Sequence, residues 1–222
     1  MVERLQAANI VLTLPDGVTM TVGAGSTVAD VAARISPRLA REAVVARYNG
    51  KLVDMGHRLE ENGSLELLTL DTPEGLDVLR HTTTHVMAQA VLRLYPGTKL
   101  AIGPTIEDGF YYDLDLPVSV GPDALPAIET EMERIAKENL PIVREELPRD
   151  ELVERFAAAG QQYKVEILQE IADPQASIYR QGEFVDLCRG PHLPSTGYLK
   201  AFKLLSLAGA YWRGDEKRPM LT

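Results

Sequence analysis

The chain of 222 residues has the composition of an ordinary folded protein, with 45% hydrophobic and 25% charged residues. This composition excludes a disordered tail, a collagen-like fibre and a coiled coil. The formal net charge is -9, from 23 Lys and Arg against 32 Asp and Glu. Broad, unspecific nucleic-acid binding needs an excess of cations that neutralise phosphates, so the charge argues against it. The length allows one large domain or two small ones.

Hydropathy and cysteine content point to a cytoplasmic protein. Apolar runs stay well short of the roughly 18 residues that a membrane-spanning helix needs. The first residues lack the basic and apolar regions of a signal peptide. Cys188 is the single cysteine, which excludes an internal disulfide framework. We therefore expect no membrane contact and, for Cys188, a role as a thiol.

Residues 1–70 predict a small domain in which one helix crosses a mixed sheet. Thr27 stands three residues before Asp30, which predicts a capping box and a short helix that stops near Ser36. The Asn49-Gly50 pair is typical of a tight hairpin turn. Alternating apolar residues predict strands over residues 10–14, 18–22, 43–48, 51–53 and 64–70. This order is typical of the ubiquitin-like β-grasp.

Residues 71–75 combine Pro with Gly and predict a linker. Beyond the linker, residues 76–222 predict a larger α+β domain in which long helices pack on a sheet. Apolar spacing predicts helices over residues 75–95, 122–139 and 149–159. Strands are predicted over residues 99–104, 110–116, 163–168 and 184–188.

Three of the four histidines join the only cysteine in two short patterns. His81 and His85 are four residues apart, so a helix places both imidazoles on one face. Cys188 and His192 are separated by a segment that contains Gly190-Pro191, which predicts a sharp turn. These four residues could supply the ligands of a tetrahedral zinc site, or they could surround a water molecule.

Other polar residues predict a wet cavity beside these histidines. Residues 82–84 are three consecutive threonines, which suit a polar wall better than a helix surface. Asp186 and Cys188 share one face of a predicted strand, because side chains alternate with a period of two. Lys164 is predicted on another strand. Taken alone, such a lysine more often lies at a solvent-exposed position. Two histidines four residues apart on a helix are more often surface residues that share this spacing by chance, or a core histidine with satisfied hydrogen bonds.

Five motifs in chain order carry a family resemblance: RHTTTHVMAQAV, LAIGPTIEDGFYYDLD, YKVEIL, FVDLCRGPH and LLSLAGAYWRGD. The chain resembles the amino-terminal region of bacterial threonyl-tRNA synthetases, with a TGS module followed by the editing domain. The resemblance implies a mostly antiparallel sheet in the second domain. It also implies post-transfer editing, the hydrolysis of serine wrongly esterified to threonine-accepting tRNA.

The resemblance also implies roles for residues, which we state as expectations. The expected catalytic residues are His81, Lys164, Asp186, Cys188 and His192, and the expected substrate-binding residues are His85 and Tyr112. We expect water to attack the ester, and an acyl-enzyme on Cys188 is the less favoured alternative. No metal is expected. Alanyl-tRNA editing domains carry the same histidine and cysteine arrangement around a metal, so zinc at His81, His85, Cys188 and His192 is the alternative.

The expected partners are the tRNA acceptor end that carries serine and the remainder of a synthetase. The chain stops before any aminoacylation core, so we expect an excised fragment or, less favoured, a freestanding editing factor that cannot charge tRNA. Residues 199–222 carry a local charge of +3, which suits a small charged contact. The rival functions are a zinc-stabilised RNA-binding or interaction module without catalysis, a metal-dependent deacylase that resembles alanyl-tRNA editing domains, and a metal-dependent amidase or esterase for small molecules.

Overall fold

The computed structural model describes residues 8–222 and divides them into two compact units. The first unit contains the described residues up to Leu79, together with the segment Gly190–Pro194. The second contains Arg80–Arg189 and Ser195–Thr222. None of the helices in residues 8–222 is long and apolar enough to cross a membrane.

The first unit is built around a five-stranded sheet with the strand order β2-β1-β7-β4-β5. Strands β1 and β7 are parallel, and the other neighbours are antiparallel. Its elements are β1 Asn9–Thr13, β2 Thr19–Gly23, β3 Ser26–Thr27, α1 Val28–Ile35, α2 Pro37–Glu42, β4 Ala43–Tyr48, β5 Lys51–Asp54, β6 Arg58–Leu59 and β7 Gly63–Thr69. The β-grasp prediction is confirmed.

Helix α1 begins where the sequence predicts it, because a capping box satisfies its first backbone groups. The Thr27 side chain accepts from the Asp30 N–H at 3.1 Å, and Asp30 accepts from the Thr27 N–H at 2.9 Å. The buried face of α1, with Val28 and Val31, packs into the same core as Leu12 of the sheet. Helix α2, which Ser36 caps directly after α1, is not predicted from the sequence.

Helix α3, Pro73–Leu94, confirms the predicted long helix but begins inside the predicted linker. Thr72 accounts for this early start, since its hydroxyl accepts from the Gly75 N–H at 3.1 Å. The division into units falls within α3, between Leu79 and Arg80. The domain limits 1–70, 71–75 and 76–222 therefore stay a prediction.

The second unit combines helices with short and mostly antiparallel strands. Its elements after α3 are β8 Lys99–Leu100, β9 Thr105–Ile106, β10 Gly109–Phe110, β11 Leu114–Asp115, α4 Leu125–Glu138, β12 Ile142–Pro148, α5 Arg149–Ala158, α6 Gln162–Glu170, β13 Gln175–Gln181, β14 Phe184–Leu187, β15 Ala210–Tyr211 and β16 Met220–Leu221. The α+β fold class is confirmed.

The largest sheet of this unit is antiparallel and has the order β12-β13-β14. Helices α5 and α6 cover one face, where Leu152, Phe156 and Leu168 form a core with Ile178 of β13. Strand β14 is predicted from the sequence, whereas β12 and β13 are not. Strand β13 is buried at four consecutive residues, so it lacks the alternation that marks a half-buried strand.

The prediction of a strand over residues 163–168 is wrong, because these residues belong to helix α6. Tyr163 and Val165 suggested a strand through their β propensity. The buried residues are Tyr163, Lys164 and Leu168, and this spacing places them on one face of a helix. Lys164 is therefore a helical residue.

The predicted strands over residues 99–104 and 110–116 are much shorter than expected. Only β8 and β11, and separately β9 and β10, pair over two residues each. Gly103 and Pro104 interrupt the first run, since proline cannot donate to a ladder and glycine weakens a strand. The loop that results contributes to the site described next.

Candidate functional site

A cleft of about 810 Å³ opens in the second unit. Its lining contains five of the seven residues that the sequence analysis selected: His81, His85, Lys164, Asp186 and Cys188. They come from α3, α6 and the end of β14, so three distant parts of the chain supply them. The volume lies in the range of small-molecule sites.

Helix α3 presents both of its histidines to the cleft, as their spacing predicts. The rings of His81 and His85 meet edge to face, with centroids 5.4 Å apart. Cys188 Sγ lies 3.3 Å from His81 Nε2, which is hydrogen-bonding distance for a thiol. The imidazole and the thiol therefore form a direct polar contact.

Cys188 follows β14 directly, and backbone contacts with β13 fix its position. Its N–H donates to the carbonyl oxygen of Ser177 at 3.1 Å. The Ser177 hydroxyl donates to the carbonyl oxygen of Cys188 at 2.6 Å. Residues around Cys188 thus stay in register with β13 beyond the last ladder pair.

Lys164, Asp186 and Tyr112 form a buried triad at the cleft. Lys164 Nζ lies 2.7 Å from Asp186 Oδ1, and both side chains are at most 4% exposed. The Tyr112 hydroxyl accepts from Lys164 Nζ at 2.9 Å and donates to Asp186 Oδ2 at 2.5 Å. Each group of the triad therefore contacts the other two.

Burial fixes the protonation of the groups around Asp186. Burial, reinforced by the neighbouring Asp186 carboxylate, raises the pKa of Tyr112 well above its usual value, so the phenol keeps its proton and donates. Burial also lowers the pKa of His85 to about 3, although its Nε2 lies 3.5 Å from Asp186 Oδ2. His85 is therefore a neutral imidazole at neutral pH.

The close approach of Tyr112 depends on Gly103. A Cβ atom at residue 103 would overlap the Tyr112 ring and would lie 2.6 Å from Thr84 Cγ2. Thr82, Thr83 and Thr84, expected on a cavity wall, are all buried. Gly103 itself lines the cleft.

His192 belongs to the segment Gly190–Pro194, which is grouped with the first unit. Its side chain is buried, and its backbone N–H donates to Asp54 Oδ1 at 2.8 Å. The role of His192 beside the other residues stays a prediction from the motif.

Several charged residues that line the cleft were not predicted from the sequence: Arg144, Glu146, Asp173 and Arg189. Arg144 and Glu146 lie on β12, which was not predicted. The sequence signal that could have indicated these two residues is their spacing, since residues two apart lie on one face of a strand. Arg189 directly follows Cys188, so proximity to the motif could have indicated it.

His81, His85 and Cys188 also fit a metal ion. Each offers one ligand atom, and these atoms lie within 4.8 Å of one another. Imidazole nitrogen and thiolate sulfur are ligands that zinc prefers. These three residues could hold zinc, which would act as a Lewis acid that activates water.

Two family models match the chain. The model described as the TGS domain matches residues 10–69. The model described as the threonyl and alanyl tRNA synthetase second additional domain matches residues 176–222. The second range includes all but the first residue of β13, together with β14, Asp186 and Cys188.

Bacterial threonine–tRNA ligases match most of the chain. The ligase of Rubrobacter xylanophilus is 57% identical over 209 residues, which are 94% of this chain and 32% of the relative. The ligase of Carboxydothermus hydrogenoformans is 58% identical over 88% of this chain and 31% of its own length. Threonine–tRNA ligase 1 of Bacillus subtilis is 48% identical over 95% of this chain and 33% of its own length. The chain spans about a third of the length of these curated relatives.

The burial of the Lys164–Asp186 pair predicts a large stability effect. Lys164→Met leaves the Asp186 carboxylate buried without its cation, which should lower the free energy of unfolding by about 3–5 kcal/mol. Adding Asp186→Leu should recover much of this loss, because both charges are then gone. Urea unfolding followed by circular dichroism measures both effects. Lys137→Met on α4, where the side chain is 80% exposed, is the control. A Lys164→Met protein as stable as this control would contradict the prediction.

Proposed function

Because the chain carries the TGS and second additional domains and corresponds to the amino-terminal region of bacterial threonine–tRNA ligases, we propose that it edits mischarged tRNA. The proposed reaction is hydrolysis of serine from threonine-accepting tRNA after transfer. The proposed partners are the acceptor end that carries serine and the remainder of a ligase. A cytoplasmic location, where bacterial tRNA is charged, belongs to the same proposal.

An enzyme that attaches threonine to tRNA needs such a reaction, because serine is too similar to threonine to be excluded in one binding step. Serine lacks only one methyl group of threonine, and a single such group separates two substrates by about 10- to 200-fold in one binding step. A second, hydrolytic site that accepts the smaller amino acid removes the remaining errors. The same logic predicts that threonyl-tRNA is spared.

The geometry of Lys164 is the observation that carries the proposal. An ammonium group has three donors, and the described partners of Lys164 are the Asp186 carboxylate and the Tyr112 hydroxyl. The Tyr112 hydroxyl is a hydrogen-bond acceptor for Lys164 and Asp186 is its ion-pair partner; Lys164 also lines the cleft, so its ammonium can donate to a ligand there. In the proposed mechanism this donor stabilises the oxyanion that develops on the ester carbonyl.

We assign activation of water to the His81–Cys188 contact. The low pKa of His85, about 3, makes that imidazole a poor proton acceptor near neutral pH, so His85 binds and orients. A water molecule held by His81 and Cys188 attacks the carbonyl carbon and gives its proton to His81. The bond to the ribose oxygen breaks, and that oxygen takes up the proton. Cys188 orients the water as a thiol.

The roles of the other predicted residues follow from their contacts. The Asp186 carboxylate stabilises the positive charge of Lys164 and fixes the position of its ammonium group. Tyr112 acts on the substrate through Lys164, since its hydroxyl lies within the triad. We retain His192 in the catalytic set on the strength of the motif.

Metal-dependent deacylation is the second candidate. The three ligand atoms of His81, His85 and Cys188 within 4.8 Å of one another favour it. In that case zinc would replace Lys164 as the main electrophile. We favour the reaction without metal, because the Lys164 cation already faces the cleft.

The first prediction from this mechanism concerns selectivity and two variants. The protein should hydrolyse seryl-tRNA and leave threonyl-tRNA intact. His81→Ala and Lys164→Ala should each lower the rate by at least about 100-fold, as the loss of a general base or an oxyanion donor does. Release of radiolabelled amino acid from each tRNA measures the rates.

Lys137→Ala is the matched control, since Lys137 is a largely exposed lysine of the same unit. Circular dichroism should show that each variant is folded. The proposal fails if the wild-type protein releases serine and threonine equally, or if His81→Ala retains full activity.

The second prediction separates the two candidates by metal content. Protein purified without added metal should contain zinc well below one ion per chain. Incubation with a chelator should leave seryl-tRNA hydrolysis unchanged, because Lys164 and not a metal supplies the positive charge. Elemental analysis and activity before and after chelation measure this. Hydrolysis that disappears on chelation and returns with zinc would establish the metal-dependent alternative.

A further inference from the structure

Most arginines of the second unit are ion-paired. Ten arginines lie between residues 80 and 222. Eight contact a carboxylate: Arg93, Arg134, Arg144, Arg149, Arg155, Arg180, Arg213 and Arg218. Within residues 8–222, Arg80 and Arg189 make no ion pair. In the second unit, therefore, an arginine without a carboxylate partner is the exception.

The two exceptions differ in position. Arg189 is exposed and lines the cleft, whereas Arg80 is half-buried and lies outside the lining. Arg189 also follows Cys188, whose thiol contacts His81. Its guanidinium is therefore accessible from the same space that the proposed reaction uses.

Other charged side chains of the cleft lining already have polar partners. Lys164 pairs with Asp186 at 2.7 Å, and Arg144 pairs with Glu146 at 2.9 Å. Asp173 Oδ1 accepts from the Gln175 N–H at 2.9 Å. Arg189 is thus the cation of the lining whose charge no carboxylate within residues 8–222 balances.

The chemistry of guanidinium identifies a ligand for this position. Its planar fork of donors matches the oxygens of a phosphate, and it is always charged. An amino acid esterified to the last ribose of an RNA is accompanied by a phosphodiester one nucleoside away. A cleft that receives the ester must therefore have that phosphate near its opening.

We propose that Arg189 forms a phosphate subsite that binds a phosphodiester next to the esterified nucleoside. This inference rests on the proposed editing function, to which it adds a residue that binds the RNA backbone. Arg189 contributes to affinity, and the chemical step belongs to the residues deeper in the cleft.

The test compares R189Q with the wild-type protein on two substrates, seryl-tRNA and a seryl ester of adenosine that has no phosphate. R189Q should raise KM for seryl-tRNA about tenfold, which is the lower limit for a hydrogen bond to a charged group, and leave kcat unchanged. The rate on seryl-adenosine should not change. The slope of log affinity against log salt should fall by about 0.7, the value for one phosphate of a single strand.

R155Q is the matched control, since Arg155 lies on α5 and pairs with Glu151 at 2.9 Å. R144Q tests whether any cation of the lining has the same effect. The inference is overturned if R189Q keeps the wild-type KM and salt slope, if R144Q matches it, or if both substrates lose activity equally.

Binding of uncharged tRNA, measured by fluorescence titration, separates this inference from the proposed function. R189Q should bind about tenfold more weakly even if the wild-type protein hydrolyses neither substrate. Absence of hydrolysis in the wild type would reject the editing proposal alone. Equal tRNA binding by R189Q and the wild type would reject the phosphate subsite alone.

Discussion

The buried ion pair between Lys164 and Asp186 is the constraint on which the site depends. Two charges removed from water are tolerated only when each is paired and hydrogen-bonded. Asp186 receives the ammonium on one oxygen and the Tyr112 hydroxyl on the other. This arrangement fixes helix α6 against β14 and places the Lys164 ammonium at the cleft. Stability and proposed chemistry therefore share the same contacts.

Much of the fold is encoded by short-range signals that a single sequence reveals. The Thr27 and Asp30 capping box, the Asn49-Gly50 turn and the apolar face of α4 all form where the sequence predicts them. The spacing of His81 and His85 likewise predicts their shared face correctly. These features depend on neighbours within a few residues, so tertiary contacts do not override them.

The features that the sequence analysis missed depend on distant contacts. Residues around Lys164 have strand propensity, yet they form a helix because packing on the sheet buries one helical face. Strand β13 is central in its sheet and is buried at four consecutive residues, so its burial does not alternate. Arg189 stands out only when the ion pairs of the other arginines are known, and half of these arginines, such as Arg93 and Arg218, pair with residues far away in the chain.

The kinetic effect of Tyr112→Phe tests the central claim most directly, because this change removes one hydroxyl and keeps the ring. A hydrogen bond to a charged group contributes about 1.5–3 kcal/mol, and about 1.4 kcal/mol corresponds to tenfold in rate. The account predicts a kcat for seryl-tRNA hydrolysis about 10- to 100-fold lower with an unchanged KM. Tyr48→Phe, which removes the buried hydroxyl that donates to the Glu61 carbonyl oxygen, should leave kcat unchanged. An unchanged kcat in Tyr112→Phe, or a rise in KM alone, would contradict the role of the triad.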